Sequence, residues 1–187
     1  MASDTFISGG VTFTMHGDTF ANNTGHSIVN SSGGAGLEST AGQVIAGKIT
    51  RVMVIKMNAL TATQQTMSSA RSDGTKNPVI AVSSGDDFIF KAGSTLTASA
   101  ADLDIHIITV QYNQDATTIL SISGGSSVTG NAGAEDYDYG TLFADISGGT
   151  TANMAILQDI TFSPALNTSE VSRIESEMNR RYKGIST

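Results

Sequence analysis

The sequence predicts an all-β fold, a two-sheet antiparallel sandwich finished by one short C-terminal α-helix. Three observations predict it. Apolar residues recur with a period of two in many segments, as in Val11-Thr12-Phe13-Thr14-Met15, and this alternation marks a half-buried strand. Gly, Ser, Asn and Asp clusters interrupt the apolar runs at short intervals, as they do between many short strands. The pattern changes to a helical period once, after Pro164, so no helices alternate with strands as an α/β fold requires.

Taken in order, residues 1–15 are expected to form an N-terminal arm or edge strand around Val11, Phe13 and Met15. Residues 16–47 are dense in Gly, Ser, Asn and Thr without a sustained period. They are expected to be mostly loop, with short strands near Ser27–Asn30 and Gln43–Ala46. Ile49–Met57 (ITRVMVIKM) is apolar on both faces at its centre, as a central strand should be. Residues 60–71 carry little pattern. Pro78–Ser83, Asp87–Lys91 and Ser94–Ala98 read as a meander with Ser-Gly-Asp and Ala-Gly-Ser turns.

Asp104–Tyr112 (DIHIITVQY) and Thr117–Ser123 (TTILSIS) read as a hairpin turning at Asn113-Gln114-Asp115. A glycine-rich loop is expected over 124–140, then strands at Thr141–Ile146 and Met154–Phe162. In the last strand Met154, Ile156, Ile160 and Phe162 share one face, expected in the core. Leu157, Asp159 and Thr161 share the other, expected partly wet. Val171, Ile174, Met178 and Tyr182 then form one helical stripe, giving a helix over 167–183. Asn167 and Glu170 have the spacing of a capping box, and Gly184 is placed to end the helix in a left-handed cap. The 187 residues suit a single domain, 1–187.

Composition narrows the function classes. The chain has no cysteine, which excludes disulfides, thiolate metal sites and a cysteine nucleophile. Charged residues make up 14% of the chain, against about 25% in typical soluble domains, so the surface is polar but sparsely charged. The net charge is −7, and no basic patch is present of the kind that neutralises phosphates, so no nucleic-acid partner is expected. The basic group Arg180, Arg181 and Lys183 falls at the helix C-terminus, where cations complement the dipole. No signal-like leader and no membrane-length apolar stretch is present, so neither secretion through a leader nor a membrane partner is expected.

Met154–Ile185 places a strand (Ile156–Phe162), a connector (Ser163-Pro164-Ala165-Leu166) and a helix ending Arg181-Tyr182-Lys183-Gly184-Ile185 in succession. This ending resembles that of LamG-like, concanavalin A-like jelly-roll domains. Ile49–Met57 resembles a strand of that family. Asp104–Ser123 resembles its hairpin, with His106, Tyr112, Asn113 and Gly124 in place. The family's tryptophan before the histidine is Ile105 here, and the stretch before residue 49 departs from the family's opening strands. The resemblance implies an antiparallel jelly roll. It leaves function open, because jelly rolls serve as lectins, adhesins, glucanases and structural parts.

Candidate chemistry is sparse. A glycosidase needs two carboxylates facing one another, and the nearest arrangement, Glu135-Asp136-Tyr137-Asp138-Tyr139, lacks the E-x-D-x-E spacing of jelly-roll glucanases. Asp136, Tyr137, Asp138 and Tyr139 are instead the candidate ligand-binding residues: carboxylates suit hydroxyls or calcium, and tyrosine rings stack on sugars. Asp86-Asp87 reads as a turn. His16, His26 and His106 lack zinc spacing, and His106 is expected to be structural. No G-x-S-x-G elbow is present, and Gly33-Gly34-Ala35-Gly36 and Gly124-Gly125 are turns rather than phosphate loops. No catalytic residue, resident metal or cofactor is expected, calcium being the one ion the acidic run could hold.

Two functions follow from this. The first is a non-enzymatic virion component, a phage decoration or fibre protein. It would be made in the host cytoplasm, contact capsid or tail subunits and act as a homo-oligomer. The second is a lectin-like module for cell-surface glycans, extracellular or on a cell surface.

Overall fold

A computed structural model describes residues 5–8, 11–16, 20–23, 27–30, 36–45, 47–69, 78–123, 125–142 and 152–183. Its strands are β1 (Thr5–Ser8), β2 (Val11–His16), β3 (Phe20–Asn23), β4 (Ser27–Asn30), β5 (Gly36–Ile45), β6 (Ile49–Met57), β7 (Gln65–Ser69) and β8 (Val79–Val82). They continue as β9 (Asp87–Lys91), β10 (Thr95–Ala100), β11 (Ile105–Tyr112), β12 (Thr118–Ile122), β13 (Ser127–Gly130), β14 (Tyr137–Leu142) and β15 (Met154–Phe162). One α-helix, α1 (Thr168–Met178), continues into a π-helical turn at Asn179–Lys183.

The strands form two sheets, in the orders β1-β2-β5-β14-β7-β8-β9-β10 and β13-β12-β11-β6-β15-β4-β3. Every described ladder is antiparallel. The all-β, two-sheet antiparallel sandwich with one short helix is therefore what the chain forms. The expected meander is β8-β9-β10, and the expected hairpin is β11–β12, with Val110 opposite Leu120.

β6 lies at the centre because its residues satisfy two layers at once. Ile49, Met53, Ile55 and Met57 point between the sheets, into a core shared with Phe88, Phe90, Ile108, Val110 and Tyr112. Val52 and Val54 point outward, where Ile107, Ile160, Phe162, Ile174 and Met178 enclose them in a second cluster under α1. Along β6 only Lys56 is exposed.

α1 is held where it starts and along one stripe. The Asn167 side chain accepts from the Glu170 N–H at 3.1 Å, and the Glu170 carboxylate accepts from the Asn167 N–H at 2.8 Å. These bonds occupy N–H groups that a helix end leaves without partners. Leu166 N–H donates to Thr50 Oγ1 at 3.0 Å, and Gln111 Nε2 donates to the Leu166 carbonyl at 3.2 Å, so the connector is tied to β6 and β11. Gly184 lies outside the described residues. No described helix is long and apolar enough to cross a membrane.

Several expectations need correction. Residues 16–47, expected to be mostly loop, supply β3 and the ten-residue β5 in addition to β4, which forms at the expected Ser27–Asn30. β7 arises in the patternless 60–71 stretch, and β13 and the start of β14 lie inside the expected 124–140 loop. These are polar or glycine-containing strands whose place is set by ladder partners rather than by a hydrophobic period. The strand expected at Thr141–Ile146 begins earlier, at Tyr137, and residues 143–146 lie outside the described ones.

The faces of β15 also differ from expectation. Its register against β6 slips between Ile156 and Gln158, a β-bulge that inserts one residue. Met154 and Ile156 face the inter-sheet core, whereas Leu157, Ile160 and Phe162 pack under the helix. Asp159 turns inward, toward Arg51.

Candidate ligand-binding rim

At the end of the sandwich where β11 turns into β12, three pieces of chain converge. The turn at Asn113–Thr117 is internally braced. Asn113 Nδ2 donates to the Thr117 carbonyl at 2.9 Å, and Asp115 Oδ1 accepts from the Thr117 N–H at 2.7 Å. Asp115 Oδ1 also accepts from the Thr117 hydroxyl at 2.5 Å, and this bond, then the one from the Thr117 N–H, holds the Asp115 carboxyl below the usual carboxylate range, helped by the Lys48 charge, whose Nζ lies 3.6 Å away. Gln114 adopts φ 59, a left-handed conformation uncommon for a residue with a side chain. From there its Nε2 reaches the Glu135 carbonyl at 3.3 Å and Asp136 Oδ1 at 3.0 Å.

The 131–136 segment facing this turn is fixed from behind. The Ala132 carbonyl accepts from the Ala92 N–H at 2.8 Å and the Ser94 N–H at 3.0 Å. Gly133 sits at φ 115, and a Cβ there would lie 1.4 Å from the Ala92 carbonyl oxygen, so only glycine fits this close approach. The buried Tyr112 donates its hydroxyl to the Glu135 carbonyl at 2.6 Å. Burial raises the Tyr112 pKa, and the charges of Glu135 and Asp136 raise it further.

Tyr137 carries the segment into the interior. It is 1% exposed, and its hydroxyl bonds Arg51 Nη1. Arg51 is itself fully buried. It grips Asp159 through Nε at 2.9 Å and Nη2 at 2.7 Å, and Nη1 donates to Ser68 Oγ at 2.6 Å. A buried guanidinium is tolerated only when its donors are matched in this way. Burial pushes the Tyr137 pKa up, and Arg51 offsets part of that rise.

The sequence-predicted residues thus separate. Asp136 is exposed at the rim. Tyr137, expected to offer a ring for stacking, is a core anchor with no surface to present. The side chains of Asp138 and Tyr139 lie outside the described residues. Gln114, Asp115, Lys48, Gly133 and Arg51 join the site without having been singled out. Of these, only Arg51 carried a local signal, a charge within the apolar run ITRVMVIKM.

Elsewhere, His106 Nε2 lies 2.8 Å from Asp102 Oδ1, and its ring meets Phe88 edge-on with centroids 4.9 Å apart. This is the structural placement expected of it. Asp86 and Asp87 form the β8–β9 turn, where the Ser83 N–H donates to the Asp87 carbonyl at 2.8 Å. Among the described residues, no three His, Asp or Glu side chains converge as a metal site would require.

No family model matches the chain, and no curated protein matches it in sequence. Solved structures do match in shape. Botulinum neurotoxin type C, whose cell entry depends on interaction with two ganglioside molecules, superposes with a TM-score of 0.64 at 13% identity, over 90% of this chain and 46% of its own. The binding domain of botulinum neurotoxin DC in complex with rat synaptotagmin II gives 0.63 at 12%, over 91% and 50%. A sialidase of Trypanosoma rangeli gives 0.65 at 10%, over 85% and 28%. The fold is a jelly-roll β-sandwich. This jelly roll spans half or less of each of those chains, and at such identities the likeness concerns fold alone. Within it, the rim lies where loops from both sheets meet, and its polar groups have fixed positions.

Proposed function

We propose that the chain is a non-enzymatic recognition module that binds a glycan at the rim formed by Asn113–Thr117 and the 131–136 segment. The observation that carries this reading is the bracing of that segment by Ala132, Gly133, Tyr112 and Tyr137 behind the half-buried polar groups of Gln114 and Asp115 and the exposed Asp136. Polar groups held in place lose little entropy on binding, and carboxylates and amides match the donors and acceptors of sugar hydroxyls. A neighbour of the same fold that depends on gangliosides supports a glycan as the ligand class. The non-catalytic reading is supported by the burial of Arg51 and Asp159, which face each other rather than solvent.

A glycan array, read with and without calcium, tests the proposal. The expected result is selective binding that Gln114→Ala and Asp136→Ala each weaken about tenfold, as loss of one charged or neutral hydrogen bond does. Absence of binding in both conditions would sink it.

The setting we infer is a virion surface, with capsid or tail subunits as partners. Sparse charge and the absence of cysteine support it. Co-purification with particles is the expected outcome, and a chain found only free of particles would refute that setting.

A further inference from the structure

On the outer face of the seven-stranded sheet, α1 and β15 leave an open groove of about 370 Å³, lined by Ile160, Phe162, Arg173, Ile174, Glu177 and Met178. Its two charged groups are in different states. Both oxygens of Glu177 are occupied: Arg180 donates to them at 3.0 and 2.7 Å, and Arg181 donates to one at 2.7 Å. Arg173 is exposed and has no carboxylate within ion-pair distance among the described residues.

The helix edge bordering the groove reads Glu170, Arg173, Glu177, Arg181. At 3.6 residues per turn Glu170, Arg173 and Glu177 fall within an arc of about 60°; Arg181, in the π-helical turn that follows, is held to the same edge by its bond to Glu177, and the four charges alternate. Such an edge is complementary to itself when reversed. Placed antiparallel about a point between residues 175 and 176, Glu170 meets Arg181 of a second copy and Arg173 meets its Glu177, whose oxygens then share their bonds between the incoming Arg173 and the Arg180 and Arg181 already on them. Each match is in register to within one residue's rise, about 1.5 Å. The ridge that carries the charges lies beside the groove, so under the same operation the ridge of one copy enters the groove of the other. This is how helices pack, ridge into groove.

We propose that this edge and groove form a twofold self-association surface, with a second copy of this chain as occupant. An isologous contact requires one patch to serve both sides, and the alternating edge meets that requirement. The apolar floor, covered by the stems of Arg173 and Arg181 from the partner, supplies affinity. The charge pairs set the antiparallel register and speed encounter. The surface lies on α1 and β15, apart from the rim, and is independent of the glycan reading.

Sedimentation across a concentration series of wild type, Arg173→Glu, Glu177→Arg and an equimolar mixture of the two variants tests the proposal. Wild type is expected to form a dimer that 0.5 M salt weakens. Each variant alone brings like charges together and is expected to raise the dissociation constant at least tenfold. The mixture restores both opposite-charge pairs and is expected to return to within threefold of wild type. Because the chain has no cysteine, a chain carrying Arg173→Cys and Glu177→Cys should also cross-link to a dimer under oxidation. A monomeric wild type, a dimer indifferent to both reversals, a mixture of folded variants that does not re-associate, or failure to cross-link would each overturn the proposal.

Discussion

Arg51 is the residue on which the interior turns. A guanidinium on a side chain with 0% exposure carries a large desolvation cost, offset here by a bidentate carboxylate, a serine and a tyrosine among its partners. Removing either member of the Arg51–Asp159 pair leaves the other charge buried without its opposite. Arg51→Ala or Asp159→Ala is therefore expected to destabilise the fold by about 3–5 kcal/mol, measured by urea unfolding. Arg51→Met combined with Asp159→Leu should recover most of that loss. The tyrosines make a second prediction. The pKa values of Tyr112 and Tyr137 are raised in the folded state, so their contribution to stability is complete below the unfolded value near 10 and is lost as pH rises through and above it. Spectrophotometric titration should find these two of the four tyrosines ionising late in native protein and normally in denaturant, with Tyr112→Phe and Tyr137→Phe each removing part of the late phase. At this scale the sequence was half legible. A charge inside ITRVMVIKM was visible, but its partner, 108 residues away, was not. Likewise, the acidic run was visible, but which of its side chains turns inward depends on Arg51.

At the scale of elements, pattern reading succeeded wherever one face met one environment. α1 has a single buried stripe and a local cap, so sequence alone placed both. β15 failed the same reading because one inserted residue, Leu157, exchanges its faces midway, and a bulge has no signature in a period-two pattern. Its deletion makes a sharp prediction. Without Leu157 the strand runs in simple alternation, and Gln158–Phe162 keep their β6 partners Val54–Thr50. Asp159 then still faces Arg51, and Ile160 and Phe162 still lie under α1. The deletion variant is therefore expected to fold cooperatively, losing about 1–3 kcal/mol with the Leu157 side chain, as read by urea unfolding. A variant that fails to fold would refute the face assignment. β3, β5, β7 and β13 were illegible for a different reason: their sequences lack apolar alternation, and their identity comes from ladder partners.

For the whole molecule, fold was far more legible than function. Repeated alternation, one helical period and the order of strand, connector and helix sufficed for a jelly roll. The rim did not emerge, because it is assembled from Lys48, the β11–β12 turn and the 131–136 segment, which only the closed sandwich brings together. That closure also has a consequence in time. β6 sits between β11 and β15, so Thr50 pairs across to Phe162, and Arg51 waits for Asp159. At about 5–20 residues per second of synthesis, roughly 5–20 s separate the emergence of those two side chains from a ribosome. During that interval the nascent chain holds its central strand with a guanidinium still hydrated. A water-bound charge in the middle of the would-be core disfavours premature collapse around β6.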